Sequence, residues 1–202
     1  MKRFLILAVV GGLGLSACAS AVSPAASRPA RDASPVMSSS PGAKSSVERS
    51  EPKSCEPASG GTEGSLAQLA DVRVGTHEGY DRVTFEFEPP SDGQYFGLPP
   101  YTLVEATPPI TQDGSGEPVP VDGSQFAVVI FHGAAGYDFV EGTPSYSGPK
   151  DFRPDFPMLV EARETGDFEA TLSWAFGLQG ASCWRVQELQ NPVRVVIDFP
   201  HD

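Results

Sequence analysis

The sequence is short of the residues on which most catalytic and metal centres are built. It has only three histidines, His77, His132 and His201, and three cysteines. No two histidines stand at ligand spacing, so a zinc site would have to be assembled wholly by the fold. A Gly-x-Ser-x-Gly elbow is missing, which leaves the esterase-like loop Phe131-His132-Gly133-Ala134-Ala135-Gly136 without the nucleophile that acyl transfer needs. Basic residues are scarce as well: 14 Lys and Arg against 26 Asp and Glu give a net charge of -12. That balance excludes nucleic acid as a partner, because binding it needs a basic footprint. It also argues against the folded part lying flat on an anionic membrane. Finally, no stretch holds a 3.6-residue apolar period over three turns, which excludes a helical bundle.

What is present begins with a leader. Residues 1–17 carry Lys2 and Arg3, then an apolar run from Phe4 to Leu15 of about a dozen residues, too short for an ordinary membrane span. Leu15-Ser16-Ala17-Cys18 resembles the bacterial lipobox, in which cleavage precedes a cysteine that takes diacylglycerol. The alternative is an ordinary signal peptide with Cys18 close to the cut. Lipidation of Cys18 by two or three acyl chains would hold the protein at the extracytoplasmic face of the cell membrane, since a single chain already contributes about 0.8 kcal/mol per buried CH2. Residues 18–54 then form an Ala/Ser/Pro stretch with almost no large apolar residue, a composition expected to stay disordered. As a flexible tether it would span roughly 30 to 35 Å.

From Cys55 to residue 202 the composition changes. Gly79 to Glu88 alternates, with Val83, Phe85 and Phe87 on one face and Arg82, Thr84, Glu86 and Glu88 on the other. Val193-Arg194-Val195-Val196-Ile197-Asp198-Phe199 repeats the theme near the end of the chain, so the two strands are expected to open and close one domain. Between them lie further short candidate strands at 101–105, 117–121, 125–131, 158–163, 168–176 and 183–189, separated by turns such as Pro89-Pro90-Ser91-Asp92-Gly93 and Asp113-Gly114-Ser115-Gly116. Residues 132–156, rich in Gly, Pro and Asp, read as a long irregular loop. The predicted fold class is therefore all-β, a β-sandwich or partly closed barrel, with 55–202 as its domain.

With Cys18 committed to lipid, Cys55 and Cys183 are the one available intramolecular pair, and in an oxidising compartment they are expected to bridge the start of the domain to its penultimate strand; the alternative is two unrelated thiols. A loop well over a hundred residues long would contribute about 4 to 5 kcal/mol in the chain-entropy description. Asp113 and Glu117 could attract calcium, but their turn is far shorter than an EF-hand loop and reads as a solvated turn.

Val72 to Phe87, Gly116-Glu117-Pro118-Val119, Tyr146-Ser147-Gly148-Pro149, Gly166-Asp167-Phe168-Glu169 and Val193 to Asp198, taken in order, resemble the AMIN-like domain of actinobacterial lipoproteins and secreted proteins over roughly residues 70–200. The resemblance implies a β-sandwich module that sits beside cell-wall enzymes and secretins and helps localise them. It brings no catalytic set and no cofactor. The expected function is thus a non-catalytic, lipid-anchored envelope module that contacts peptidoglycan or another wall glycan. Alternatives are a protein-interaction subunit of an envelope complex, or a wall hydrolase using loop acids such as Asp138 or Glu141.

Candidate ligand-binding residues are the aromatics and the histidine of the loops: Tyr95, Tyr101, His132, Tyr137 and Tyr146. Aromatic faces suit sugar rings and partner side chains alike; the competing role for these rings is to cover the ends of the sandwich. Arg82 and Arg194 could clamp a glycan or carboxylate, or serve as cross-strand ion pairs worth about 0.2 to 1 kcal/mol.

Overall fold

The computed structural model describes residues 54–201. The leader, Cys18 and all but the last residue of the tether lie outside the described residues. Eleven strands and no helix occur in the described part: β1 (Ala58–Gly60), β2 (Ala67–His77), β3 (Tyr80–Glu88), β4 (Tyr101–Ala106), β5 (Gln125–His132), β6 (Ala134–Ala135), β7 (Asp151–Phe152), β8 (Leu159–Phe168), β9 (Thr171–Leu178), β10 (Arg185–Gln190) and β11 (Val193–Pro200). They form one sheet in the order β1-β4-β5-β9-β8-β7 and a second in the order β10-β11-β3-β2-β6. All pairings are antiparallel except the short parallel contact of β2 with β6. The fold is the all-β, two-sheet sandwich that the sequence predicts.

The alternation of β3 explains where the core sits. Val83 and Phe85 are fully buried and Phe87 nearly so, facing Phe131, Trp174 and Phe176 of the other sheet. Phe85 lies at the centre, with ring centroids 5.1 Å from Phe131, 5.7 Å from Trp174 and 6.3 Å from Phe176. Tilted and edge-to-face contacts of this kind each add about 0.5 to 1.5 kcal/mol to the area term. On the outer face Arg82 forms a bidentate pair with Asp198 of β11, at 2.6 and 2.8 Å, so this arginine is a cross-strand partner. Among the described residues Arg194 reaches only the Pro192 carbonyl, at 3.4 Å.

Several expectations need correction. β3 does not open the domain: β1 and β2 precede it, and β3 sits in mid-sheet between β2 and β11. β2 escapes a period-2 reading because its register shifts between Leu69 and Asp71. Its buried residues therefore switch from Ala67 and Leu69 to Val72. The segment 168–176 is not one strand. Phe168 ends β8, and Glu169 and Ala170, both with left-handed φ of 50° and 58°, make the two-residue turn into β9. Residues 117–121 carry only a single bridge, Thr111 to Pro118. The segment 132–156 contains β6 and β7 and is tied down along its length, as described below.

Cys55 and Cys183 are bonded, with Cα atoms 5.2 Å apart across 128 positions of sequence. The bridge joins the residues just before β1 to those just before β10, the penultimate strand.

One contact between the sheets is made by a charge. Asp81 shares the parity of Val83 and Phe85, so its carboxylate points inward and is fully buried. Its Oδ2 accepts the backbone amides of Met158 and Leu159 at 2.7 and 2.8 Å, and Oδ1 lies 2.9 Å from His201 Nε2. Burial alone would raise its pKa, but the Leu159 amide, His201, Thr76 and the Met158 amide outweigh that and hold it below the usual Asp value. A depressed carboxylate contributes stability that is complete above the unfolded-state pKa and is lost as pH falls through the folded-state one. Asp81→Ala, which strands two buried amides, should lower the unfolding free energy by about 3 kcal/mol at neutral pH. Asp81→Asn should lose less, because one oxygen can still accept. Urea denaturation at neutral pH and below about pH 3 checks both points, with the difference between wild type and Asp81→Ala shrinking in acid.

Candidate functional site

The loops at the end of the sandwich where β3 leaves and β5 arrives carry three of the five exposed large apolar side chains of the described residues. Tyr95 is 71% exposed and Phe96 38%, in the loop between β3 and β4; Val140 is 58% exposed, in the loop after β6. Exposed His132 closes β5, and half-buried Tyr137 packs edge-on against Phe139 at 5.7 Å. Backbone bonds hold these segments to one another. The Leu66 amide donates to the Tyr95 carbonyl at 2.8 Å, the Ala67 amide to Gly133 at 2.9 Å, and the Gly133 amide to Ala170 at 2.8 Å.

Asp138 fastens the two aromatic loops together. Its carboxylate, only 6% exposed, accepts the Val140 and Glu141 amides at 2.7 and 2.8 Å, the Ser91 amide at 2.8 Å and hydroxyl at 3.2 Å, and Gln68 Nε2 at 2.7 Å. Gln68 also donates to the Pro89 carbonyl at 2.6 Å. The Glu141 amide, opposed by burial and aided by Val140, Ser91 and Gln68, lowers the Asp138 pKa to about 2. A carboxylate so saturated with donors stays ionised at neutral pH and has little basicity left to take a proton. The loop acid first considered as a hydrolytic group is thus committed to holding loops in place.

The five candidate aromatic and histidine positions divide. Tyr95, His132 and Tyr137 stand at this end. Tyr101 and Tyr146 are each only 5% exposed, and their rings belong to the core cluster rather than to a surface. The Tyr101 hydroxyl donates to Glu188 Oε1 at 3.1 Å, and that of Tyr146 to the Pro149 carbonyl at 2.5 Å. Burial, then neighbouring carboxylates, pushes both up to about 12. A tyrosine ring in a loop is equally suited to either role, which is why the sequence does not separate them. Phe96 and Phe139, which belong to the same aromatic segments, stand at this end with Tyr95 and Tyr137, and exposed Val140, an aliphatic residue for which the sequence offers no cue, joins them.

The other chemical motifs resolve in the same direction. The amides of Gly133 and Ala134 both donate to Ala170, at 2.8 and 3.2 Å, so they do not form a free oxyanion-binding pair. The fold brings His77 and His201 to the β2–β3 turn, where His77 stacks on Tyr80 at 4.7 Å and His201 meets Asp81. Among the described residues no group of three or more His, Cys, Asp or Glu could hold a metal ion.

The described domain is a two-sheet all-β fold that exposes Tyr95 and Phe96 on a loop tied by hydrogen bonds to its neighbours. Residues 67–201 match the AMIN-like domain, and the chain belongs to that family. AMIN-like domains are extracytoplasmic cell-envelope modules, generally associated with the cell wall and typically non-catalytic. No curated protein and no solved structure matches the chain.

If Asp138 is the fastener, Asp138→Ala should release both loops while leaving the core intact. Hydrogen exchange of the full chain should then speed up in 89–98 and 137–145 by one to two orders of magnitude, roughly, with β5 and β9 unchanged. In the wild-type protein the protection of these loops should persist well into acid and fade only as pH approaches about 2.

Proposed function

We propose that this chain is a non-catalytic binding module anchored by lipid at Cys18, which presents the Tyr95 end of its sandwich to cell-wall glycan. The observation that carries the reading is the exposure of Tyr95 and Phe96 on a loop that Asp138 holds rigid. Exposed rings normally cost a soluble protein solubility, so large apolar side chains displayed at one end suggest a surface kept for contact. Tyr95 also sits at a left-handed φ of 57°, a conformation that costs a non-glycine residue of the order of 1 kcal/mol and gathers at functional sites. A ring held in place before contact loses little conformational entropy on binding, which favours affinity from a small surface.

Lipid attachment fits this use. The net charge of the chain is strongly negative, so headgroup attraction offers the folded domain little, and the acyl chains would supply the retention instead. A tether of about 30 to 35 Å would then let the domain reach the wall.

Full-length protein in detergent should co-sediment with purified sacculi at low salt, and Tyr95→Ala with Phe96→Ala should reduce the bound fraction several-fold without changing the thermal midpoint. Wild type remaining in the supernatant would sink the wall-glycan reading; retention of the same surface on a single envelope protein, mapped by crosslinking, would replace it with the protein-partner one. Separately, Cys18→Ser should move the protein from the membrane to the soluble fraction of cells. Persistence on the membrane would refute lipid anchoring.

A further inference from the structure

A cleft of about 420 Å³ lies where the turn 112–116 meets the end of β8. Its lining combines an exposed aromatic ring with planar polar side chains. Phe168, 58% exposed, forms one wall. Gln112, Asp113 and Ser115 line it as well, and Gly114, with a left-handed φ of 82°, is placed so that a Cβ there would come within 3.8 Å of the Phe168 ring.

The polar wall is built before any ligand arrives. β8 is irregular between Glu164 and Gly166, which lets the turn lie against it: the Asp113 amide donates to the Thr165 carbonyl at 3.0 Å. Gly166 is required at this contact, because a Cβ there would fall 2.5 Å from Asp113. The Asp113 carboxylate is fixed through Oδ2 by Ser173 Oγ, itself 2.8 Å from Thr165 Oγ1. Gln112 is fixed as well: its carbonyl accepts the Gly116 amide at 2.9 Å, and its Oε1 accepts Ser115 Oγ at 3.2 Å. Among the described residues this leaves Gln112 Nε2 without an acceptor and Asp113 Oδ1 without a donor. An amide donor and a carboxylate acceptor therefore line the same cleft as an exposed aromatic side chain.

We propose that this cleft is a saccharide site: the ring of Phe168 takes the C–H face of a neutral pyranose, while Gln112 Nε2 and Asp113 Oδ1 take its hydroxyls. An apolar platform with a few fixed polar groups is the general form of a small-ligand site, and hydroxyls offer both the donor and the acceptor that these groups lack. Charge selects the class of sugar. The residues lining the cleft include Asp113 and Asp167 and no basic side chain, so an anionic sugar is repelled and a neutral one is not. Size selects the length. A second hollow, of about 360 Å³, adjoins at Gln112 and is lined by Lys150, Asp151, Arg163 and Glu164; its two cations are paired with carboxylates, so it gives room for a further sugar unit without favouring an anionic one. The site is separate from the Tyr95 end, and its binding of sugar does not rest on the function proposed for that end.

The test is calorimetric titration of the full-length protein in detergent with tetra-N-acetylchitotetraose and maltotetraose as neutral probes and tetragalacturonate as the anionic one. At least one neutral tetramer should bind, more tightly than its monosaccharide, and more tightly than tetragalacturonate. Phe168→Ala and Gln112→Ala, both changes at exposed positions, should each weaken it about tenfold, while Tyr95→Ala with Phe96→Ala leaves it unchanged. No binding of either neutral tetramer, binding indifferent to Phe168→Ala, tighter binding of tetragalacturonate, or loss in the Tyr95 variant instead would each overturn the proposal. Sedimentation with sacculi that depends on Tyr95 but not on Phe168 would leave the function proposed for that end standing while this one fails.

Discussion

The sandwich is closed at one end by a buried carboxylate rather than by apolar contact alone. Asp81 projects from β3 into the space between the sheets and takes the two amides at Met158 and Leu159, where the chain turns into β8. Burying a charge there would be costly without those donors. With them, the carboxylate sets the height of β8 against β3, a relation that packing of Leu and Val alone leaves loosely specified. The position of β8 matters beyond the core, because its irregularity before Gly166 is where the turn 112–116 docks.

Asp138 acts at the other end by the same physics. It collects amides from two loops distant in sequence, and the donors lower its pKa rather than raise it. Glu161 extends the scheme to the outer face: fully buried, it meets Arg163 Nε at 2.7 Å and Arg153 at 3.1 Å, and accepts the Asp122 amide at 2.6 Å. In a chain with 26 acids, several of the best buried carboxylates organise backbone. A general acid needs a pKa raised toward neutrality and room for substrate. Asp81 and Asp138 have the opposite shift, and their oxygens are occupied.

The sequence discloses the framework better than the surface. β3 and β11 are legible because each is an unbroken period-2 strand, and the cysteine pair because no third cysteine competes once Cys18 is set aside. β2 is not legible in the same way, since the extra residue at Ala70 switches its buried parity in mid-strand. The inward turn of Asp81 could have been read from its parity with Val83, but its partners come from 77 and 78 positions away, and no local pattern encodes them. In the sequence Tyr101 and Tyr146 are indistinguishable from Tyr95, each an aromatic ring in or beside a connecting segment. Only the tertiary packing separates the two that are buried from the one that is exposed. Phe168 was counted within a strand, and the left-handed pair Glu169-Ala170 is what turns it into the wall of a cleft.

That pair also bears on how the exposed loops are held in place. Left-handed φ at Tyr95, Glu169 and Ala170 is strained in non-glycine residues, and such strain persists only where neighbouring contacts over-determine it. Here the contacts are backbone hydrogen bonds: Leu66 to Tyr95, and Gly133 and Ala134 to Ala170. They run through the start of β2 and through β6, the short parallel strand beside it, so the loop after β3 and the β8–β9 turn are braced by the same two segments. A change in that brace would move Tyr95 and Phe168 together, although they belong to different loops. The two loops thus share one support, formed by Leu66, Ala67, Gly133 and Ala134.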